Sequence, residues 1–237
     1  MSEDRNFGGL ICHVYGTTKA KRLFIFLHGD RRMTTGTEWA AAMVTACSAT
    51  PVCAVALIRP GYDDVNNVRP QPQIKGWPID QYTRPNILRI GQAIQEMKQA
   101  WSPTLTIGVG YSGGSACLGV LLGLVPGAIQ HAVLVSGPLD VRRWRRLRML
   151  ELPEAVPYPN SLSSMDFVDQ IPKGTRIRCI HGADDTRVQP FLSESYVAMA
   201  HSKGINATYQ AVAGAAHDDP QSIRMLGNAA IKAARAF

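Results

Sequence analysis

The chain has 237 residues, a length that fits one domain, and its 46% hydrophobic and 18% charged residues are an ordinary balance for a globular protein. No apolar run reaches the ~18 residues that a membrane span needs, and the polar start from Met1 to Arg5 lacks the apolar core of a signal peptide. The five cysteines follow no metal-binding spacing and lie mostly in apolar runs. We interpret them as small core residues of a cytoplasmic protein.

The net charge of +7 is concentrated in one short segment, which has five arginines between positions 142 and 148. Val141, Trp144, Leu147 and Leu150 recur there at every third position, which predicts an amphipathic helix with an arginine-rich outer face. We interpret the arginines as a solvated surface; a funnel for anionic substrates or a site for an acidic partner is the alternative. No nucleic-acid-binding motif accompanies the charge, so nucleic acid is not an expected partner.

Strand-like and helix-like segments alternate along the chain. Strands are predicted at 10–15, 23–27, 52–58, 104–109, 131–136, 176–180 and 206–212. Helices are predicted at 37–49, 84–101, 115–122, 141–150, 190–202 and from Pro220 onward, with Thr83 and Asp219 as the N-caps of the second and the last. The alternation predicts an α/β fold, with a mostly parallel central sheet and helices on both faces.

Two irregular segments interrupt this alternation. The loop at 59–80 is polar and rich in proline, and a loop of this length inside a compact domain is usually functional. The segment at 138–170 contains Pro153, Pro157 and Pro159, which indicates a short, irregular, cap-like excursion and therefore a small lid or none. There is no internal repeat and no linker, so we predict one domain over residues 1–237.

The stretch at 110–114, Gly-Tyr-Ser-Gly-Gly, lies between a predicted buried strand and a predicted helix of small residues. Strand, G-x-S-x-G and helix form the pattern of a nucleophile elbow. A serine on a sharp strand-to-helix turn needs neighbours without bulk, because the turn crowds its flanks. Its hydroxyl then projects above the sheet, beside a helix N-terminus that can stabilise an oxyanion.

Two other interpretations of this stretch remain open at the level of the motif. Gly108, Gly110 and Gly113 also satisfy G-x-G-x-x-G, the dinucleotide-binding fingerprint. That fingerprint is followed by an acidic residue about 20 positions on, whereas the first acid here is Asp140, at a distance of 27 (140 − 113). The third interpretation is a glycine-rich turn without chemistry.

A serine hydroxyl is a poor nucleophile until a base takes its proton, and a third group must orient that base. The order of nucleophile, acid and histidine fits Ser112, Asp185 and His217, with gaps of 73 (185 − 112) and 32 (217 − 185). All three follow predicted strands, whose carboxyl ends meet at one edge of a parallel sheet. Asp184 competes with Asp185 for the role of the acid, and Asp140 is a further alternative.

This order of catalytic residues resembles that of the α/β-hydrolases, and the resemblance extends over about residues 20–237. The last third is most similar to single-domain relatives of prolyl oligopeptidases and dienelactone hydrolases, in which the acid loop reads His-Gly-x-x-Asp-x-x-Val. Five segments carry the resemblance: the oxyanion-loop strand at 26–29, the following loop at 59–62, the elbow at 110–114, the acid loop at 181–188 and the histidine loop around His217.

The resemblance implies an oxyanion hole made by the backbone N–H of Gly113 and that of Asp30. Many esterases carry His-Gly-Gly-Gly where this chain has His-Gly-Asp-Arg at 28–31, so the position of the second donor stays open. We expect His28 and His181 to shape their loops. His201, inside a predicted helix, is expected to be a surface residue.

We therefore predict a serine hydrolase, most simply a carboxylesterase, that cleaves a small-molecule ester through an acyl-enzyme. A small serine peptidase and a non-catalytic binding member of the fold are the alternatives. Tyr111, Tyr62 and Trp77 are the candidate substrate-binding residues. No metal and no organic cofactor is implied, no membrane partner is expected, and a homodimer is left open.

Overall fold

The computed structural model describes residues 2–30, 34–63, 82–152 and 158–237. Eight strands form one sheet in the order β1-β2-β4-β3-β5-β6-β7-β8. The first two pairings, β1 with β2 and β2 with β4, are antiparallel, and all the others are parallel. The strands are β1 (Glu3–Phe7), β2 (Leu10–Gly16), β3 (Arg22–Leu27), β4 (Cys53–Leu57), β5 (Leu105–Tyr111), β6 (His131–Val135), β7 (Arg176–Gly182) and β8 (Asn206–Val212).

Helices cover both faces of this sheet, as the alternation of elements predicts. One apolar core lies between the sheet and α1 and α6, and the other lies between the sheet and α2, α3 and α5. The helices are α1 (Thr34–Ala46), α2 (Arg84–Trp101), α3 (Gly113–Leu124), α4 (Val141–Glu151), α5 (Phe191–Ser202) and α6 (Pro220–Arg235), with a short 3₁₀ helix at Ser164–Gln170. None of the helices in the described ranges is long and apolar enough to cross a membrane.

The ends of α2 and α6 follow from local sequence signals. Proline lies in the first turn of each helix, where its missing N–H costs nothing and its fixed φ fits. The Asp219 carboxylate accepts a hydrogen bond from the N–H of Ser222 and so caps α6, as predicted. Thr83 occupies the N-cap position of α2, although its side chain makes no capping bond.

Strand β1 is an element that the sequence analysis missed. Its segment, Glu-Asp-Arg-Asn-Phe, is largely exposed and shows no apolar alternation. Contacts distant in sequence hold it: it pairs with β2, Phe7 packs edge-on against Trp101 with 5.1 Å between ring centroids, and the N–H of Gly8 donates to Glu96. An edge strand of this kind depends on its neighbours more than on its own residues.

Two predictions about helices were wrong in detail. The helix predicted at 37–49 begins three residues earlier, at Thr34, and ends at Ala46. In α4, Val141 and Trp144 face the core, but Leu150 is 84% exposed. The three-residue spacing predicted an amphipathic helix with an arginine-rich outer face, and the apolar face is buried only in the first turns.

Candidate active site

The segment at 110–114 has the geometry of a nucleophile elbow. Ser112 lies between β5 and α3 with φ +51°, a conformation that non-glycine residues rarely adopt and that is common at functional sites. A Cβ atom on Gly114 would overlap the carbonyl oxygen of Leu27, and one on Gly110 would come within 2.6 Å of the N–H nitrogen of Ser115. Glycine is therefore required on both sides of the serine by the close approach of other backbone.

The structure brings together the three residues that the sequence proposes as a triad. The hydroxyl of Ser112 donates to Nε2 of His217 at 2.9 Å, and Nδ1 of His217 donates to Oδ2 of Asp185 at 2.7 Å. Ser112 is 9% and His217 7% exposed, and the Asp185 side chain is fully buried. The histidine can therefore accept the serine proton on one nitrogen while the carboxylate orients the other.

Asp185 is an ionised carboxylate in this arrangement. Burial alone would raise the pKa of its carboxyl, but hydrogen bonds from His181, His217 and the N–H of Val188 lower that pKa to about 2. Its other oxygen, Oδ1, accepts from the N–H groups of Arg187 at 3.0 Å and Val188 at 2.9 Å. A fixed negative charge at this point can stabilise a positive charge on the His217 imidazole.

The competing residues lie elsewhere. Asp184 is exposed, and the carboxylate of Asp140 caps α4 by accepting from the N–H of Arg143. His201 is exposed near the end of α5, as expected. Among the described acids, Asp185 is therefore the one whose carboxylate is bonded to His217.

A charged network surrounds the predicted oxyanion loop after β3. Oδ1 of Asp30 accepts from Nη1 of Arg59 and from the hydroxyl of Tyr62, both at 2.9 Å, and Oδ2 accepts from the hydroxyl of Tyr82 at 2.6 Å. Burial raises the pKa of the Asp30 carboxyl, but the Arg59 charge and these donors outweigh it and lower the pKa. Asp30 is 28% exposed and Arg59 only 1%, so the ion pair reaches from the core to the site.

This network lies directly beside Ser112 and Gly113. A Cβ atom on Gly113 would overlap Oδ1 of Asp30 and come within 2.9 Å of Nη1 of Arg59, and one on Gly29 would lie 3.2 Å from Cβ of Ser112. The N–H of Gly113 lies in the first turn of α3, where backbone N–H groups have no acceptor within the helix. The Gly29–Asp30 backbone and the start of α3 thus flank Ser112 from two sides.

The predicted substrate-binding residues differ in their surroundings. The hydroxyl of Tyr111 donates to the carbonyl oxygen of His217, and the two rings stack with centroids 5.6 Å apart, so this buried tyrosine supports the histidine loop. Tyr62 is also buried and is bound to Asp30. Trp77 lies outside the described residues. Substrate contact by any of the three stays a prediction.

Sequence reasoning missed two partners of Asp30 and one neighbour of Asp185. Arg59 and Tyr82 were not recognised as members of the site, although an arginine directly after a buried strand is a signal that could have identified Arg59. His181 was assigned to its loop, but its Nε2 also lies 3.3 Å from Oδ2 of Asp185. In the part of the chain that the structure describes, no group of three or more His, Cys, Asp or Glu side chains could hold a metal ion.

Solved structures of several hydrolases are similar to this chain. Est1E from Butyrivibrio proteoclasticus, with bound ferulic acid, superposes with a TM-score of 0.68 at 15% identity, over 99% of this chain and 100% of that one. The esterase PF2001 of Pyrococcus furiosus gives a TM-score of 0.70 at 14% identity over 100% and 89% of the two chains. A monoacylglycerol lipase of Paleococcus ferrophilus gives 0.63 at 13% identity over 96% and 98%.

Comparisons of the sequence with protein-family models and with curated proteins found no relatives. No protein-family model matches the sequence, and no curated protein matches it. The structural likeness, at these identities, concerns the fold. Together with the eight-stranded, mostly parallel sheet, it confirms the α/β-hydrolase fold that the sequence predicts.

Proposed function

We propose that this chain, which has the α/β-hydrolase fold, is a serine hydrolase that cleaves small soluble esters through an acyl-enzyme. The observation that supports this most directly is the hydrogen-bonded series from Ser112 through His217 to Asp185, at 2.9 and 2.7 Å. Nucleophile, base and orienting acid are within the reach that covalent catalysis needs. The names of the neighbours, two esterases and a monoacylglycerol lipase, favour ester substrates.

The reaction would proceed in two half-reactions. Oγ of Ser112 attacks the ester carbonyl carbon while its proton passes to Nε2 of His217, and the carbonyl oxygen becomes an oxyanion. His217 then gives that proton to the departing alkoxide, so an alcohol leaves and the acyl group stays on Ser112. Water attacks the acyl-enzyme by the same route, releasing the acid and restoring the serine. The N–H groups of Gly113 and Asp30 would stabilise the oxyanion.

The surroundings of Ser112 support a small substrate. The Asp30–Arg59 pair places charged atoms beside Gly113, where a long acyl chain would gain little from burial. Tyr82, whose hydroxyl donates to Asp30, packs edge-on against Tyr158 with ring centroids 5.8 Å apart. We therefore propose soluble esters with short acyl chains.

The test is covalent labelling by a fluorophosphonate probe. We expect Ser112→Ala to lose labelling and ester turnover by at least ~10³-fold while its urea unfolding transition stays cooperative. The exposed serine in α5 supplies a matched control, Ser202→Ala, which should label and turn over as the parent does. Undiminished labelling of Ser112→Ala would refute the proposal.

Parallel ester and amide panels decide between the remaining alternatives. Turnover of esters with little cleavage of amides is the expected outcome. Faster cleavage of aminoacyl or peptidyl amides than of the matched esters would identify a peptidase. Labelling without turnover on either panel would favour a binding protein that retains its triad.

A further inference from the structure

A second histidine contacts the acid of the proposed triad. His181, the second-to-last residue of β7, is completely buried. Its Nε2 lies 2.8 Å from the carbonyl oxygen of Val188 and 3.3 Å from Oδ2 of Asp185. On the other side of the ring, Nδ1 lies 2.8 Å from Oγ of Ser193, a buried residue in the first turn of α5. The proposed mechanism uses neither His181 nor Ser193.

The partners of His181 determine where its proton lies. A carbonyl oxygen and a carboxylate oxygen can only accept, so Nε2 must carry the hydrogen, which it donates to the carbonyl oxygen of Val188. In a neutral ring Nδ1 is then an acceptor, and the Ser193 hydroxyl donates to it. The hydroxyl thus selects the tautomer in which His181 holds Val188 and turns its N–H side toward the acid.

His181 lies next to Asp185 and also holds one of its donors. Oδ1 of Asp185 accepts from the N–H groups of Arg187 and Val188, and Oδ2 accepts from His217 at 2.7 Å. Nε2 of His181 donates to the carbonyl oxygen of Val188 and lies 3.3 Å from Oδ2. Without His181, Val188 would lose the bond that fixes its peptide beside the acid, and the carboxylate would be less firmly oriented toward His217.

We propose that His181 is a positioning residue for the reaction, which holds Asp185 in the orientation that His217 needs, and that Ser193 fixes the tautomer of His181. The inference rests on the proposed function. The N–H of Val188 donates to the ionised Asp185, and a hydrogen bond to an ionised group is worth more than one between neutral groups. Loss of the His181 contacts that hold Val188 and flank Asp185 should therefore lower kcat, through misorientation of His217, with little change in KM.

The test compares variants that remove or retain the donor. We expect His181→Phe to lower kcat about 10- to 100-fold with KM within about twofold of the parent. His181→Gln, whose amide N–H can replace Nε2–H, should recover most of that loss. Ser193→Ala should lower kcat less than His181→Phe does, since the ring remains and only the choice of tautomer is lost. His201→Phe, at an exposed histidine, is the matched control and should keep the parent kcat.

Urea unfolding of each variant separates a folding defect from a positioning defect. A loss of kcat in folded protein, with rescue by glutamine, supports the inference. Parent kcat in His181→Phe or in Ser193→Ala would overturn it, and so would equal losses in His181→Gln and His181→Phe. If His181→Phe does not fold, the glutamine and alanine variants decide. Turnover that survives Ser112→Ala would instead refute the proposed function, so the two failures are distinguishable.

Discussion

His28, directly after β3, should make the folded protein sensitive to mild acid. Its Nδ1 donates to the carbonyl oxygen of Gly29 at 2.8 Å, and its Nε2 accepts from the N–H of Arg59 at 3.0 Å. Burial, and then the positive charge of Arg59, lower the pKa of this imidazole to about 3. Protonation would place a second hydrogen on Nε2, opposite an N–H group that already donates to it.

The size of the effect follows from linkage. A histidine in the unfolded chain has a pKa of ~6.5, so between pH ~6.5 and about 3 the unfolded state binds one more proton than the folded state. The contribution of the neutral imidazole to stability is therefore present above pH ~6.5 and is lost as the pH falls toward the folded-state pKa, at ~1.4 kcal/mol per pH unit. Between pH 7 and pH 5 the free energy of unfolding should fall by ~2 kcal/mol because of His28 alone.

Urea unfolding at pH 7, 6 and 5 measures this slope. We expect the free energy of unfolding of His28→Gln to fall by ~2 kcal/mol less than that of the parent over this range, because the variant has no imidazole to protonate. This difference holds whatever the stability of the variant at pH 7, where one amide cannot replace both hydrogen bonds of the histidine. His201→Gln, at an exposed histidine in α5, is the comparison variant, because it removes an imidazole without touching His28 or its partners. Equal slopes in His28→Gln and the parent would refute the reasoning.

Three further predictions concern the site. Arg59→Met should lower the free energy of unfolding, measured in urea, by ~3 kcal/mol, because it leaves the Asp30 carboxylate without its counter-charge. The double variant Arg59→Met with Asp30→Asn should recover part of this loss. Strictly additive losses in the two single variants would contradict the coupling of the two residues. Asp185→Asn should lower kcat by ~10³–10⁴-fold and Asp184→Asn by far less; equal small losses would point to another acid. Across p-nitrophenyl esters from acetate to palmitate, kcat/KM should peak at roughly two to six carbons, although each added methylene could gain ~0.8 kcal/mol in an apolar pocket; a maximum at ten carbons or longer would contradict a small polar site.

The sequence was sufficient to predict the fold class and the order of Ser112, Asp185 and His217 along the chain. Apolar strands alternating with amphipathic helices predicted a mostly parallel sheet with helices on both faces, which is confirmed. Local signals are strong where hydrophobic burial follows a regular period or a backbone needs glycine or proline. The segment at 110–114 is such a case, because close backbone contacts require Gly110 and Gly114. The carboxyl ends of parallel strands then explained why Ser112, Asp185 and His217 share one edge.

Only the tertiary structure decided which side chains meet at that edge. The spacing from His181 favoured Asp185 over Asp184, but spacing alone could not show which carboxylate is buried and bonded to His217. Nor could it join Asp30 to Arg59 and Tyr82, which are 29 and 52 positions away. Such pairs form because a buried charge must find its partner wherever the fold provides one. Local sequence patterns do not predict such pairs, because hydrogen bonds between distant segments depend on the packing of the whole sheet edge.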